Sequence, residues 1–163
     1  MTDQTDATMD AISRAVELGR AGDRDAARTT LTELWTELGP QGDPLHRCTL
    51  AHYLADLHDD AAQALTWDIR ALDAADSLTD ERVHRHHAGL DVRGFYPSLH
   101  LNLADNYRRL GSFEAARQQI EAARECLHTL GQDQYGRMLR TAVEEVAEAI
   151  RDGRTEPRAS APR

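Results

Sequence analysis

The sequence predicts an all-α fold, and its composition, its hydrophobic spacing and its turns support that prediction. Hydrophobic residues make up 40% of the 163 residues but aromatic residues only 5%, so alanine and leucine supply most of the apolar side chains. Alanine and leucine favour helices, whereas strands are enriched in β-branched and aromatic residues. Apolar residues also recur at intervals of three and four along most of the chain, the spacing of amphipathic helices.

Two copies of one short motif predict how the helices are joined. Residues 22–34 read GDRDAARTTLTEL, and residues 111–123 read GSFEAARQQIEAA. In each copy a glycine lets the chain turn, and an acidic residue near the next helix N-terminus interacts favourably with the helix dipole. The alanines allow close helix packing. Duplicated turns of this kind predict helical hairpins that stack in a row.

The first four of seven predicted helices occupy the N-terminal half of the chain. Their expected spans are 8–21, 24–38, 44–57 and 61–78. Asp23 and Asp43 are suitable N-caps for the second and third helices, and Pro44 suits a first helical turn. In the third helix Leu50, Leu54 and Leu57 share one face, which we expect to be buried.

The remaining three helices follow a stretch that loses the helical period. Residues 79–95 contain two glycines and are predicted to be an insertion, part of which is able to extend the preceding helix. A fifth helix opens at Pro97 and ends at Gly111, a sixth ends at Gly131, and a seventh runs from about 134 to 151. The expected organisation is a disordered 1–7, a helical domain over 8–151, and a disordered tail over 152–163.

Residues 99–127, LHLNLADNYRRLGSFEAARQQIEAARECL, resemble a tetratricopeptide repeat. The resemblance rests on the small packing pair Leu103–Ala104, on Gly111 at the turn, and on the apolar positions around it. These are Tyr107, Phe113, Ala116, Ile120 and Ala123. Residues 11–38 and 47–72 match less completely, and His100 stands where the family often has tryptophan.

The resemblance covers about residues 8–150 and implies a TPR-like α-α superhelix of about three helical hairpins plus a C-terminal capping helix. The chain is also similar to small actinobacterial repeat proteins, in keeping with a composition in which every cationic side chain is arginine. Proteins of this family bind peptides or protein segments in a concave groove. The resemblance therefore implies a non-catalytic adaptor or regulator without a cofactor.

The family register also implies which side chains face the groove. The ligand-binding candidates are His52, Asp56, Leu101, Asp105, Tyr107, Arg108 and Arg109, and Met9, Ile12, Arg20 and Cys48 fall at equivalent positions. A groove that presents acids and arginines is able to clamp a carboxylate or a charged side chain through paired hydrogen bonds. The competing interpretation is an ordinary solvated surface.

A small-molecule or metal-binding protein, with or without enzyme activity, is the alternative function. His52 and Asp56 lie at i and i+4 on one helix face, and His100, with Tyr107 nearby, is able to add a third group. His84 and His87 form a second weak metal candidate within the insertion. A transition metal needs three or four such ligands, so one i, i+4 pair is a weak signal.

Other sequence features bear on partners and location. A formal charge of −9 disfavours nucleic acid as a partner, since phosphate is repelled. No apolar run approaches the ~20 residues that cross a bilayer, and the N-terminus is acidic and polar, so a cytoplasmic protein without membrane contact is expected. Cys48 and Cys126 are expected to be free thiols. An alanine-rich solenoid end also allows a homodimer as a further alternative.

Overall fold

The computed structural model describes residues 6–86 and 92–159 of the chain. Within these ranges it contains eight α-helices and two 3₁₀ helices and no strand, so the all-α prediction is confirmed. The α-helices are α1 (Ala7–Arg20), α2 (Arg24–Leu38), α3 (Pro44–Asp56), α4 (Ala61–Asp76), α5 (Asp80–His86), α6 (Tyr96–Arg109), α7 (Phe113–Cys126) and α8 (Gln134–Arg151). The 3₁₀ helices span Val92–Phe95 and Leu127–Thr129.

Aspartates begin most of these helices. In α1, α2, α3, α4 and α8 the N-cap side chain accepts a hydrogen bond from a backbone N–H of the first turn. These caps are Asp6, Asp23, Asp43, Asp60 and Asp133. The caps predicted at Asp23 and Asp43 are therefore confirmed, and Pro44 occupies the first turn of α3 as expected.

The glycine of each copy of the repeated motif has a left-handed backbone conformation. Gly22 has a φ of 106° between α1 and α2, and Gly111 has a φ of 77° between α6 and α7. Side-chain-bearing residues rarely adopt these angles, so glycine is required for the chain to reverse there. The two copies differ in their caps, because Asp23 accepts from the N–H of Ala26 whereas Ser112 makes no side-chain cap bond.

Helices that follow one another pack together. The pairs α3 with α4 and α6 with α7 make the most extensive contacts, and α1 packs on α2 as extensively as α4 packs on α6. Contacts of α2 with α3 and of α4 with α6 join one pair to the next, and α8 packs on both α6 and α7. The core is accordingly distributed over these helices in several clusters, and small residues such as Ala51, Ala71, Ala104 and Ala116 are fully buried within it.

The insertion predicted at 79–95 contains a separate helix, α5, and not the expected extension of the preceding helix, because α4 ends at Asp76. The hydroxyl of Thr79 accepts a hydrogen bond from the N–H of Arg82 at the start of α5. Val83 is fully buried. A helix of seven residues completes too few turns to display a hydrophobic period, which explains why the periodicity was lost there.

The side chain of Arg82 ties α5 to the starts of α1 and α3. Its Nε lies 2.7 Å from Oδ2 of Asp43, and its Nη2 lies 3.3 Å from Oδ2 of Asp6. Nε2 of His46 lies 2.8 Å from the same Asp6 oxygen. Partial burial acts to raise the pKa of Asp43, but hydrogen bonds and attraction from Arg82 outweigh it and lower that pKa.

The ends of the helical domain differ from the expected bounds. Asp6 caps α1 and Ala7 is its first residue, although both fall in the segment predicted to be disordered. Residues 152–159 also lie against the helical domain. Contacts of Arg108 and Arg158 hold them there, and the composition of this stretch does not reveal such contacts. Residues 1–5, 87–91 and 160–163 lie outside the described part.

Among the helices of the described ranges, none combines the length and the hydrophobicity of a membrane-spanning segment.

Candidate functional site

A polar groove lies where α3, α4 and α6 meet residues 157–159. It encloses a cavity of about 670 Å³. Its polar walls are formed by Asp56, Asp68, Asn102, Asp105, Asn106 and Arg109. Residues 157–159 border the same cavity, so a non-helical stretch of the chain itself lies along the groove.

A second cavity of about 570 Å³ adjoins the polar groove between α3, α6 and α8, and we call it the side recess. The two cavities share Asp56, Asn102 and Arg158 as lining residues. Tyr135 and Met138 of α8 add exposed apolar surface to the side recess, with 48% and 58% of each residue exposed. A polar pocket next to an apolar one is suited to a ligand with both kinds of surface.

Asp68 is the most deeply buried acid of the polar groove. It is 2% exposed, and Nδ2 of Asn106 donates a hydrogen bond of 2.6 Å to its Oδ2. Its Oδ1 is buried without a hydrogen-bond partner. Burial and the nearby charges of Asp56 and Asp105 raise the pKa of Asp68 well above its ordinary value, although the side-chain amides of Asn106 and Asn102 oppose the shift.

A buried arginine fixes the orientation of Asp105. The side chain of Arg108 is 1% exposed, and its Nε and Nη2 donate hydrogen bonds of 3.0 and 2.8 Å to Oδ1 of Asp105. Its Nη1 donates to the carbonyl oxygen of Arg154 at 2.7 Å. Oδ2 of Asp105 is then turned toward Arg158, 3.6 Å from its Nε. Arg108 therefore positions a carboxylate of the groove and anchors the C-terminal residues.

Two other arginines hold the turn between α3 and α4. Nη2 of Arg24 lies 3.3 Å from both the carbonyl oxygen of Asp56 and Oδ1 of Asp59. Nη2 of Arg109 donates a 2.8 Å hydrogen bond to the carbonyl oxygen of Asp59. Because these guanidinium groups satisfy backbone oxygens of the turn, they shape the wall of the groove.

Asp56 and His52 lie where the polar groove meets the side recess. Asp56 is exposed to solvent on one side. Desolvation by the surrounding protein raises its pKa, although attraction to His52 and Arg24 acts in the opposite direction. Nδ1 of His52 lies 3.5 Å from Nδ2 of Asn102. These two residues of α3 thus face a polar residue of α6, as an i, i+4 pair on one helix face is able to do.

The structure brings four of the seven predicted ligand-binding residues to the two cavities as polar groups. These are His52, Asp56, Asp105 and Arg109. Leu101 borders the side recess but is 3% exposed and belongs to the core, and Tyr107 also packs against that core. Arg108 is too deeply buried to contact a ligand, since its whole guanidinium is used on Asp105 and Arg154.

The other positions implied by the family register lie away from the polar groove. Met9, Ile12 and Cys48 are core residues, and burial raises the pKa of the Cys48 thiol to about 12. Arg20 is exposed and pairs with Glu17 at 3.0 Å. Both cysteines are free thiols, as expected.

The metal candidates do not form a common site in the described part of the chain. Nδ1 of His100 lies 2.8 Å from Oε1 of Gln119, and the ring stacks on Tyr96. No group of three or more His, Cys, Asp or Glu side chains in that part is placed to hold one metal ion. The side chain of His84 and the whole of His87 lie outside the described residues.

Four important groups of the site were not identified from the sequence. Asp68 interrupts a buried face of α4 that otherwise carries alanine at 61, 64, 71 and 75, and a lone acid on such a face was an available signal. Asn102 and Asn106 form an i, i+4 amide pair on α6. Arg158 gave no signal, because it follows α8 in a polar stretch of chain.

Comparison of the chain with protein-family models, with curated proteins and with solved structures gave no match.

Proposed function

We propose that this chain is a tetratricopeptide-like module that binds an extended segment of a partner protein in the polar groove, without covalent chemistry. The observation that carries the proposal is the position of residues 157–159. These residues are non-helical, include Pro157, and border the cavity between α3, α4 and α6. A groove that accommodates a stretch of its own chain has the width and polarity to accommodate a similar stretch of another protein.

The helix packing supports the same proposal. Each of the pairs α1–α2, α3–α4 and α6–α7 contacts the next pair along the chain, and α8 packs on both helices of the last pair. The left-handed glycines Gly22 and Gly111 stand at corresponding turns of the first and third pairs. In repeat proteins of stacked helix pairs, the surface along the row serves as an extended binding site.

Selection of linear peptides on the purified chain tests the proposal. Peptides enriched from a displayed random library are synthesised with a fluorescent label, and their dissociation constants are measured by fluorescence anisotropy. The site variant is Arg109→Glu, which reverses a charge on the groove wall. The matched control is Arg117→Glu, which makes the same change on α7 at a side chain that is 56% exposed.

We expect the selected peptides to bind the wild type and Arg117→Glu equally and to bind Arg109→Glu at least about tenfold more weakly. Circular dichroism melts of the three proteins confirm that each is folded. Equal binding to both variants would place the binding surface elsewhere on the chain. Failure to enrich any peptide would count against the function itself.

A further inference from the structure

The C-terminal segment, residues 152–159, follows α8 and holds an arginine against the polar groove. The 2.7 Å hydrogen bond from Arg108 to the carbonyl oxygen of Arg154 anchors the segment. Beyond this anchor residues 157–159 border the cavity. The side chain of Arg158 is only 16% exposed, so its guanidinium is directed into the protein.

Arg158 lies between two carboxylates but fits neither closely. Its Nε is 3.6 Å from Oδ2 of Asp105, and its Nη1 is 3.5 Å from Oε2 of Glu145. Charge-assisted hydrogen bonds of this type are about 2.7–2.9 Å long. The Nε is also buried without a hydrogen-bond partner. A cation that reached the same carboxylates from a better position would therefore bind them more strongly than Arg158 does.

Without Arg158, carboxylates outnumber guanidinium groups along the two cavities. The acids of this surface are Asp56, Asp59, Asp68, Asp105 and Glu145. The guanidinium groups that remain are those of Arg24, Arg109 and Arg137, which border the cavities, and that of Arg108, which holds Asp105. Each of these four already donates to a backbone oxygen or to Asp105. The charge left unbalanced is negative, and a cation is its natural complement.

Asp68 points to the same kind of ligand independently of this charge balance. It is 98% buried and borders the cavity, and its Oδ1 has no hydrogen-bond partner. Buried oxygens without partners are uncommon, because each costs free energy on folding. A donor placed in the cavity would satisfy this oxygen, and a cationic donor would also offset the repulsion from Asp56 and Asp105.

We propose that the polar groove recognises a guanidinium group on the bound segment, and that Arg158 of the same chain is its internal competitor. This inference rests on the proposed function and adds the chemistry of the ligand. A partner segment would insert an arginine toward Asp68 and Asp105 as Arg158 withdraws. Arginine suits this position because its planar group donates several hydrogen bonds in fixed directions to carboxylate and amide oxygens.

An anionic ligand agrees less well with the same contacts. Once Arg158 has withdrawn, the groups of the polar groove that would bind an anion are Arg24 and Arg109, and both are hydrogen-bonded to the turn between α3 and α4. An anion would also lie close to three carboxylates, those of Asp56, Asp68 and Asp105. Once Arg158 has withdrawn, the cavity offers a ligand the unsatisfied Oδ1 of Asp68, whereas Arg24 and Arg109 already donate to the turn.

Chemical rescue of the full-length variant Arg158→Ala tests the inference. The probe is ethylguanidinium, and the control compound is ethylurea, which has nearly the same shape but no charge. Binding is measured from the side-chain amide signals of Asn102 and Asn106 in nuclear magnetic resonance spectra at constant ionic strength. The double variants Arg158→Ala/Asp68→Asn and Arg158→Ala/Asp73→Asn make the same change at a groove acid and at an exposed acid of the same helix.

Ethylguanidinium is expected to shift both amide signals of Arg158→Ala saturably, with at least about tenfold weaker binding to the wild type. Ethylurea is expected to leave the signals unchanged. The Asp68→Asn change should weaken the binding by about tenfold, and Asp73→Asn should not weaken it. If Arg158→Ala does not fold, Arg158→Gln is used in its place.

Equal shifts with ethylurea, or equal binding to the Asp68→Asn variant, would overturn the inference. If ethylguanidinium fails but selected peptides still bind in a manner that depends on Arg109, the groove binds segments without reading a guanidinium group. In that case the proposed function stands and only this inference is wrong. If neither probe nor peptide binds, both proposals are wrong.

Discussion

Nδ2 of Asn106 donates a hydrogen bond of 2.6 Å to Oδ2 of Asp68, and this bond joins α6 to α4 within the protein. Asn106 is 6% exposed and Asp68 2%. The other oxygen of the carboxylate has no hydrogen-bond partner. A buried pair that is only half satisfied disfavours folding, and such pairs are found more often at functional sites than in ordinary cores.

Replacing Asp68 by asparagine should change how stability depends on pH. The pKa of Asp68 is raised in the folded protein by burial and by Asp56. The folded state therefore holds its proton more tightly than the unfolded state, and stability falls as the pH rises from 3.8 through the raised pKa. The Asp68→Asn variant lacks this loss, so its free energy of unfolding should exceed that of the wild type increasingly toward neutral pH.

Urea unfolding of both proteins at several pH values measures that difference. Asp73→Asn is the control, because Asp73 is an exposed acid on the same helix. Other charged or titratable groups face the same cavity in every variant, so only the difference between the variants is interpreted. These groups are Asp56, Asp59, Asp105, Arg24, His58, Arg109 and Arg158. A difference that is constant with pH would contradict the raised pKa.

Removing the charge of Arg82 should destabilise the protein at neutral pH. The side chain is 16% exposed and bridges Asp43 and Asp6, so Arg82→Gln should cost about 1–2 kcal/mol. The pKa of both aspartates is lowered in the folded state, since the bonds from Arg82 and His46 outweigh the effect of burial. This contribution is present above pH 3.8 and is lost as the pH falls through the lowered values.

Thermal or urea unfolding at pH 7 and at pH 3 checks this prediction. The control is Arg117→Gln, which removes an exposed ion pair with Glu114 and should alter stability by less than about 0.5 kcal/mol. A deficit of Arg82→Gln that is as large at pH 3 as at pH 7 would show that packing of the side chain, and not its charge, is responsible.

Truncation of a buried leucine should be costly in this alanine-rich core. Leu54 of α3 is fully buried, and Leu54→Ala should reduce the free energy of unfolding by about 2–5 kcal/mol through lost burial and the cavity that remains. Ile69 of α4 is 46% exposed, so Ile69→Ala should change stability much less. Similar losses in the two variants, measured by urea unfolding, would argue against the packing of α3 described above.

The two turn glycines should resist substitution for a backbone reason alone. A Cβ built at Gly22 or Gly111 meets no atom within 4 Å, yet both residues have a positive φ. Gly22→Ala and Gly111→Ala should each cost about 1–2 kcal/mol. Gly94 also has open space but no positive φ, so Gly94→Ala is the control and should be nearly neutral. Equal melting temperatures for all three variants would contradict this explanation.

Local signals predicted the helices and two of their caps. The positions of Gly22, Asp23 and Asp43 in the sequence were sufficient, because a turn or a cap depends on neighbouring residues. The short helix α5 was missed, since its formation depends on Thr79 at its start and on the burial of Val83 by distant residues. Tertiary contacts of this kind leave no period in the sequence.

Part of the site was predicted from helix spacing on α3 and part from the repeat resemblance on α6. His52 and Asp56 lie on one turn of α3, so their spacing indicated a shared surface, whereas Asp105 and Arg109 were expected in the groove from the resemblance. Neither signal showed that Arg108 turns inward to hold Asp105. Burial of a charged side chain depends on partners elsewhere in the fold, and here one of them is a carbonyl oxygen 46 positions away.

The short connection between the end of α8 at Arg151 and the groove has a quantitative consequence. A side chain tethered at such close range is present at its own binding site at a local concentration on the order of millimolar. A free cationic segment would displace Arg158 only if the ratio of its concentration to its dissociation constant exceeded the same ratio for the tethered side chain. Binding of a partner segment would then require a threshold affinity or concentration. A segment would meet it by being present at high local concentration or by making additional contacts in the side recess.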